Sequence, residues 1–470
     1  MDKAFDVVVI GAGPGGYVAA IRAAQLGFKT AVIEREHFGG ICLNWGCIPT
    51  KALLRMSEMY HMMQNSATFG ISCSQCDFDI RQMVGRSRAV VSQLVNGVKN
   101  LMHKNNIMVI EGHARLLGKS KVEVTINATK SSEKLELAAK HIILATGARP
   151  RVLSTFPVDH ETVWDYKDAM VPKALPKSLL IVGSGAIGTE FASFYHALGV
   201  QVTIVEILDR ILPNEDEEIS AFMFQSLTKW GINIHLNTQV NKVDVTSGSA
   251  EIDLTHKDGK VSRVKCDKIL SAVGVVPNTE NLGLKNTKIE QVNGGYIKID
   301  EYMKTDELGV YAIGDITTAP LLAHKASHQG VICVENIAKL PHVHPIKPEN
   351  IPGCTYSYPQ VASVGYTEKQ ALAKGLKIKV GRFPFIGNGK AVAIGEVNGM
   401  AKLIFAADTD ELLGAHLVGA EVTEMIHSLV IAKTSECTMH EIVSSIFPHP
   451  TLSETIYESV LAGYGRALHI

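Results

Sequence analysis

The chain has 470 residues, too many for one hydrophobic core and enough for about three domains of ordinary size. Apolar residues make up 46% and charged residues 20%, which excludes a disordered chain. Lys and Arg number 46 against 47 Asp and Glu, so no basic excess is left to neutralise phosphates, and nucleic acid is not expected as a main partner.

No stretch reaches 18 uninterrupted apolar residues, so no membrane-spanning helix is expected. The start, MDKAFD, runs directly into VVVI and is too acidic and too short for a signal or transit peptide. A cytoplasmic protein, or an already processed organellar one, is the expectation. Eight cysteines in this length do not make a secreted disulfide scaffold. In a reducing compartment most should be buried thiols, and any close pair becomes a candidate for redox work.

The first elements are a strand at residues 5–10, the glycine turn GAGPGG at 11–16, a helix to Leu26, and a strand at 29–33 ending at Glu34. The order recurs at 178–206: a strand, GSGAIG at 183–188, a helix to Leu198, and a strand ending at Glu206. The spacing from Gly11 to Glu34 equals that from Gly183 to Glu206. One such motif is a weak signal, whereas two with matching strands, helices and carboxylates form an internal repeat. In each copy the first glycine (Gly11, Gly183) makes the tight turn. The second (Gly13, Gly185) lets backbone approach a pyrophosphate, and the third (Gly16, Gly188, the latter following Ile187) lets helix pack on strand. The pyrophosphate then sits on a helix N-terminus, where open N–H groups and the dipole favour an anion. Glu34 and Glu206 accept from ribose hydroxyls and repel a 2′-phosphate. The competing reading is glycine-rich turns in two ordinary βαβ units; the repeat favours two bound dinucleotides.

Residues 39–51 read GGICLNWGCIPTK. Five steps of strand would part Cys42 and Cys47 by roughly 16 Å, and five of helix by about 7.5 Å. A disulfide needs Cα atoms about 4.4–6.8 Å apart. Only a distorted helical turn brings them together, and Gly46 supplies the freedom for one. Pro49 suits the first turn of a following helix, which places Cys47 near a positive helix end. Lys51, four residues on, adds positive charge on the same face. Two unrelated buried thiols are the alternative, disfavoured directly after a nucleotide motif. Cys73-Ser-Gln-Cys76 also has redox spacing, but it lies in a polar turn without glycine-loop or helix context. It reads as incidental, with a surface metal or a second disulfide as the alternative.

Beyond it, residues 82–103 predict a long amphipathic helix, and 107–117 with 121–127 an antiparallel pair. A buried strand at 141–144 is closed by Gly147 and Pro150, and similar strand-to-glycine exits recur at 269–274 and 310–315. Four prolines within 339–352 mark a linker. A hairpin follows at 401–406 and 411–417, then an apolar helix near 422–432.

Near the end stands His449-Pro-Thr-Leu-Ser-Glu454. Pro450 biases His449 towards extended geometry, and Thr451 or Ser453 can cap a helix starting there. Glu454, in its first turn, can accept from one imidazole N–H and so raise the basicity of the other nitrogen. A lone histidine is usually structural; one ordered by a carboxylate in a chain with a dithiol reads as a general base.

These motifs together resemble class I of the pyridine nucleotide–disulfide oxidoreductase family over essentially the whole chain. Besides the Cys42–Cys47 block and both nucleotide motifs, the likeness rests on Thr146-Gly147, Gly314-Asp315, LAHKA at 322–326 and FPHPTLSE at 447–454. It implies an α/β fold with two Rossmann-like dinucleotide-binding domains and a C-terminal α+β dimerisation domain. The expected segments are 1–149 for FAD, 150–280 for NAD, 281–350 completing the FAD site, and 351–470 for dimerisation. FAD is implied in the first motif and NAD in the second, with Asp315 on the ribityl side and Lys51 near the reactive flavin nitrogen. An ion pair from Lys51 to Glu190 is implied as well. Backbone around Ala114, Thr146, Gly147, Ala148, Leu321, Leu322, Ala323 and His324 would touch FAD, while Val240 and Gly274 would line the nicotinamide nucleotide. The implied reaction oxidises dihydrolipoamide with NAD⁺, using Cys42, Cys47, His449 and Glu454. Its partners would be a second copy of the chain, since His449 would reach the other subunit's disulfide, and a lipoyl domain of the acyltransferase core of a 2-oxo acid dehydrogenase complex.

One departure is Trp45, where the family pattern leads one to expect a smaller residue such as Val; it removes no functional group. Glutathione reductase is the runner-up, but Glu206 and Asp209 stand where arginines would grip an NADP 2′-phosphate, although Arg210 follows. The C-terminal cysteine pair of a mercuric reductase is missing from 463–470. A docking protein that merely retains FAD is disfavoured by the intact dithiol and His–Glu pair.

Overall fold

A computed structural model describes residues 4–126, 133–246 and 248–469; Asn127, the expected end of a strand, lies outside them. The chain divides into two compact units. The first comprises Met1–Ala52, Gln82–Arg151 and Gly274–Ile346, the second Leu53–Arg81, Val152–Val273 and Lys347–Ile470. The expected segments 1–149 and 281–350 thus fall mostly in the first unit, and 150–280 and 351–470 in the second.

In the first unit, strand Ala4–Ile10 lies in a sheet between Thr30–Glu34 and Lys134–Leu144, parallel to both. Its residues 7–10 are apolar on both faces because both faces are covered, as a parallel sheet requires. Met108–Gly118 adds outside Thr30–Glu34, and Val310–Ala312 outside Lys134–Leu144. Lys121–Ile126 joins the far ends of the two long strands as an antiparallel ribbon. Helix Pro14–Gln25 buries Gly15, Gly16, Ala19, Ala20 and Ala23. This stripe of small residues lets it lie against helix Ala323–Ile337, where a Cβ on Gly330 would come within 2.7 Å of the Gly15 carbonyl oxygen.

The second unit repeats the theme. Strands 163–164, 178–182, 201–205, 233–235 and 268–271 form a parallel sheet of five, with Ser178–Val182 flanked by Gln201–Val205 and Lys268–Ser271. A three-stranded antiparallel sheet spans residues 238–266. The C-terminal part is an antiparallel sheet of five. Its centre is the expected hairpin, Met400–Ala406 with Leu412–Gly419, packed beneath helices Val422–Thr434 and Glu454–Gly463. No helix among the described residues is long and apolar enough to cross a membrane.

Candidate functional site

Both glycine turns have nearly the same backbone. Gly11 stands at φ +102° and Gly183 at φ +100°, a conformation that disfavours any side chain. A Cβ would lie 2.3 Å from the Ala145 oxygen in the first case and 2.4 Å from the Ala272 oxygen in the second. The third glycines are tighter still: a Cβ on Gly16 would be 1.9 Å from the Gly11 oxygen, and on Gly188 2.0 Å from the Gly183 oxygen. The second glycines, Gly13 and Gly185, are the N-caps of helices Pro14–Gln25 and Ala186–Ala197. No side chain caps either helix, so the first N–H groups point into the turn unserved by side-chain acceptors.

The acidic residues organise these turns. Glu34 accepts from the N–H of Ala12 at 2.7 Å and of Glu36 at 2.9 Å. Glu206 accepts from the Ser184 N–H at 2.9 Å, the Ser184 hydroxyl at 2.7 Å and the Leu208 N–H at 2.9 Å. Arg210, the residue that kept a phosphate reading open, bonds Glu217 at 2.9 Å.

The cysteine block folds as two helices, Gly40–Trp45 and Cys47–Gln64, broken at Gly46 (φ −148°, ψ −118°). That break is the distorted turn the spacing demands, and it leaves the Cys42 thiol hydrogen-bonded to Cys47. That bond, then burial, pushes the Cys42 thiol far above its usual range, against the pull of the Lys51 ammonium. The break is held by the Thr50 hydroxyl donating to the Gly46 carbonyl at 2.7 Å, and by Asn44 donating to Phe38 and Gly40 at 2.8 and 2.9 Å. Gly40 approaches Gly13 so closely that its Cβ would meet Gly13 Cα at 2.7 Å, tying the dithiol helix to the first glycine turn. Trp45 lies under the Arg88 guanidinium, 4.7 Å from the ring centre, and Arg88 also donates to the Asn44 carbonyl at 2.8 Å. The unexpected indole is thus a shelf for a half-buried cation.

Asp315 also faces Cys42 electrostatically. Burial raises its carboxyl, and the neighbouring Lys325 ammonium opposes that rise. Lys325 is itself buried, donating to the Thr318 carbonyl at 2.6 Å. Gln329 accepts from the Gly314 N–H at 2.8 Å and fixes the same turn. Neither Lys325 nor Gln329 is assigned a role by the sequence reading; the LAHKA block was the available signal. Thr146 and Gly147 are pinned by Asn278, which donates to the Thr146 carbonyl at 2.9 Å through its side chain and to the Gly147 carbonyl at 2.9 Å through its N–H. Ala114 is buried in its strand, Ala148 opens strand Ala148–Pro150, and Leu321 and Leu322 lead into the helix beginning at Ala323, with His324 exposed in its first turn.

In the second unit, Glu190 is buried and accepts from the Tyr356 N–H at 3.0 Å. Ile187 is partly exposed at the second turn, and Val240 is buried in the adjoining three-stranded sheet. Near the chain's end His449 Nδ1 lies 2.9 Å from Glu454 Oε1. Helix Glu454–Gly463 has no side-chain cap, contrary to the expectation for Thr451 or Ser453. The Thr451 hydroxyl donates to the Pro448 carbonyl instead, and the Glu454 carboxylate takes the Thr451 N–H at 2.8 Å. Burial raises the Glu454 carboxyl, but the Thr451 N–H and the His449 ring together hold it below the usual range. The imidazole itself is 76% exposed, open to whatever approaches it.

Residues 5–330 match the family model described as pyridine nucleotide-disulphide oxidoreductase, and 351–460 match the dimerisation domain of the same family. The chain belongs to the pyridine nucleotide-disulphide oxidoreductases. Among the curated relatives of this oxidoreductase are the dihydrolipoyl dehydrogenases of Zymomonas mobilis, 51% identical and covering 99% of both chains, and of Bacillus subtilis, 43% identical over 100% of both. Among solved structures, LpdA from Mycobacterium tuberculosis superposes with a TM-score of 0.89 at 26% identity, covering 97% of this chain and 99% of that one. FAD and NAD are the cofactors of this family, and the oxidoreductase's turns fit two dinucleotides. The glycines that close each turn exclude a Cβ, while at Gly185, Gly147 and Gly274 a Cβ would meet no protein atom within 4 Å, leaving room for a ligand to approach the backbone.

Proposed function

We propose that the protein is an NAD-dependent dihydrolipoyl dehydrogenase, oxidising dihydrolipoamide carried on a lipoyl domain of a 2-oxo acid dehydrogenase complex. The observation that carries this reading is the Cys42 thiol bonded to Cys47 at a helix start, beside a glycine turn built for a pyrophosphate. The full-length likeness to enzymes of that name supports the choice of substrate.

In this reading FAD is held by the turn at Gly11, Gly13 and Gly16, by Glu34, and by backbone at Ala114, 146–148 and 321–324, with Asp315 on its ribityl chain and Lys51 beside its ring. NAD is held by Gly183, Gly185, Ile187 and Gly188, by Glu206, Val240 and Gly274. Glu190 stays a candidate for positioning Lys51. The protein works as a homodimer, a reading supported by the match of 351–460 to a dimerisation domain, and His449 of one chain serves the dithiol of the other.

The chemistry at the protein's own atoms is thiol–disulfide exchange. His449, its Nδ1 oriented by Glu454, takes a proton from one substrate thiol. The resulting thiolate attacks Cys42 in the Cys42–Cys47 disulfide, forming a mixed disulfide and freeing Cys47 as thiolate. The second substrate thiol then attacks the substrate sulfur of the mixed disulfide, closing the lipoamide ring, and its proton passes to the departing Cys42 sulfur. Two electrons thus rest on the cysteine pair, and two protons on the enzyme. Bound FAD and NAD⁺ supply the route by which that electron pair leaves as hydride.

Steady-state turnover of dihydrolipoamide and of reduced glutathione, each with NAD⁺ and with NADP⁺, tests the reading. Dihydrolipoamide should be the sole efficient dithiol, and the Glu206 carboxylate should favour NAD⁺ at least tenfold, about 1.4 kcal/mol. Equal kcat/KM for the two nucleotides, or turnover of glutathione alone, would reject it.

A further inference from the structure

The reaction makes no use of the second cysteine pair, Cys73 and Cys76. Helix Cys47–Gln64 runs into a short 3₁₀ turn, Ser66–Phe69, which ends at Gly70 with φ +74°. The chain turns back there, the Ile71 N–H donating to the Ser66 carbonyl at 3.2 Å, and residues 71–79 have no regular structure. Within this loop the Cys73 thiol donates to the Gln75 carbonyl at 3.6 Å. The fold-back brings both thiols to the wall of one hollow, although four residues of open chain could as easily have splayed them apart.

The pair borders a hollow of about 400 Å³ whose wall also includes Met63, Gln64, Ser66 and Ile71. Met63 is 45% exposed, as a side chain facing an open hollow should be. The soft ligands in that wall are two thiols and a thioether; beside them stand only neutral oxygens, of Gln64, Ser66, Ser72 and Ser74, and the wall contains no histidine and no carboxylate. Asp77, next in the chain, adds negative charge beside Cys76.

We propose that Cys73, Cys76 and Met63 form a binding site for one soft monovalent cation, Cu(I). An all-sulfur set with a thioether member suits that ion, whereas a structural Zn(II) site takes four ligands, one more than these three sulfurs supply. Binding replaces the two S–H bonds by two Cu–S bonds, with the Met63 sulfur as third ligand, and releases two protons to water. No oxidation state changes, so no oxidant or reductant is consumed.

The catalytic dithiol would compete for the same ion, so the test uses the full-length FAD-loaded protein carrying Cys42→Ser and Cys47→Ser. Under anaerobic conditions it is titrated with Cu(I), added as the acetonitrile complex, against the chromophoric chelator bathocuproine disulfonate. One equivalent should be retained against the chelator, with only sulfur neighbours in X-ray absorption. Adding Cys73→Ser and Cys76→Ser should weaken retention by at least about a hundredfold, the upper end of what outer-shell changes alone cost. Met63→Leu, similar in volume, should weaken it by about tenfold. With Cys42 and Cys47 intact, the Cys73→Ser/Cys76→Ser protein should turn over normally, which shows that it folds. No retained copper, retention indifferent to Cys73 and Cys76, or nitrogen and oxygen neighbours around the metal would each overturn the proposal.

Discussion

The Cys42 and Cys47 thiols meet across the backbone break at Gly46, and that contact, ahead of burial, holds the Cys42 thiol far above its usual range. A hydrogen bond contributes about 0.5–1.5 kcal/mol net, and one pKa unit corresponds to about 1.4 kcal/mol. Cys47→Ala should therefore lower the pH at which Cys42 becomes reactive by about one unit. Iodoacetamide alkylation of Cys42 in the reduced protein, followed by peptide mass spectrometry across pH, reads this directly. Superimposable profiles for the variant and the wild type would contradict the role of the contact.

The glycines of the second turn separate folding from nucleotide binding. A Cβ at Gly188 would sit 2.0 Å from the Gly183 oxygen, but at Gly185 it would meet no atom within 4 Å. Gly188→Ala should cost about 1–3 kcal/mol of stability, as overpacking does, seen as a lowered unfolding midpoint. Gly185→Ala should leave the midpoint in place and raise the KM for NAD⁺ about tenfold or more by blocking the backbone's approach to the pyrophosphate. The reverse pattern would refute the division.

A shared site can be tested by mixing chains. Cys42→Ser and His449→Gln proteins should each be nearly inactive alone. If the base of one chain serves the dithiol of the other, each mixed dimer holds one doubly damaged site and one intact site. Full exchange of equal amounts makes about half of all dimers mixed by random pairing, so about a quarter of wild-type turnover should return when His449 acts as the base across the interface. No recovery, with exchange verified by native mass spectrometry, would mean that each site is built within one chain.

Much of this protein is visible in its residues because the signals are local. The paired glycine turns, the closing glutamates, the hairpin at 400–419 and the His449–Glu454 spacing each lie within a few dozen residues, and backbone chemistry restricts what such short patterns can do. The partners of these elements are less visible. The likeness assigns 281–350 to the FAD site, but no local pattern says that Val310–Ala312 pairs with the strand Lys134–Leu144. Arg88 reads as one more charge on an amphipathic helix, yet it lies on Trp45. Thr451 and Ser453 have the chemistry of helix caps, but the first N–H groups of the helix, on Thr455 and Ile456, donate to the carbonyls of Leu452 and Ser453 instead. Lys402 has the composition of a surface residue and is 3% exposed, because its three carboxylate partners come from two distant stretches of chain.

That lysine yields a pH prediction. Lys402 lies 2.7 Å from Asp216, 3.0 Å from Glu218 and 2.8 Å from Glu368. Burial alone would raise the carboxyls of Asp216 and Glu218. Lys402 reverses that for Asp216, and Arg382 with Lys402 for Glu218, so both are held below their usual values of 3.8 and 4.5. Stability from these groups is therefore full above about pH 4.5 and is lost as the pH falls through the lowered values. Burial lowers the Lys402 ammonium, but its three partners raise it above 10.5 overall, so its contribution is present below that value and is lost as the pH rises beyond it. Lys402→Met should cost about 3–5 kcal/mol at pH 7 by stranding a buried carboxylate. The gap from wild type should narrow towards pH 3, because below about pH 4.5 the unfolded wild-type chain takes up protons that its native carboxylates, held low by Lys402, resist. Urea unfolding at the two pH values decides it, and an equal gap at both would defeat the electrostatic account.

The two glycine turns are interchangeable parts. Gly13 (φ −69°, ψ −177°) and Gly185 (φ −67°, ψ −175°) differ by two degrees in each torsion, as do the φ angles of Gly11 and Gly183. Two turns whose backbones agree this closely cannot tell one dinucleotide from another at the phosphates. Choice of nucleotide is left to the strand ends, Glu34-Arg35-Glu36 in one copy and Glu206-Ile207-Leu208 in the other. Anyone recoding this enzyme for a different coenzyme should leave the glycine turns untouched and edit those few letters.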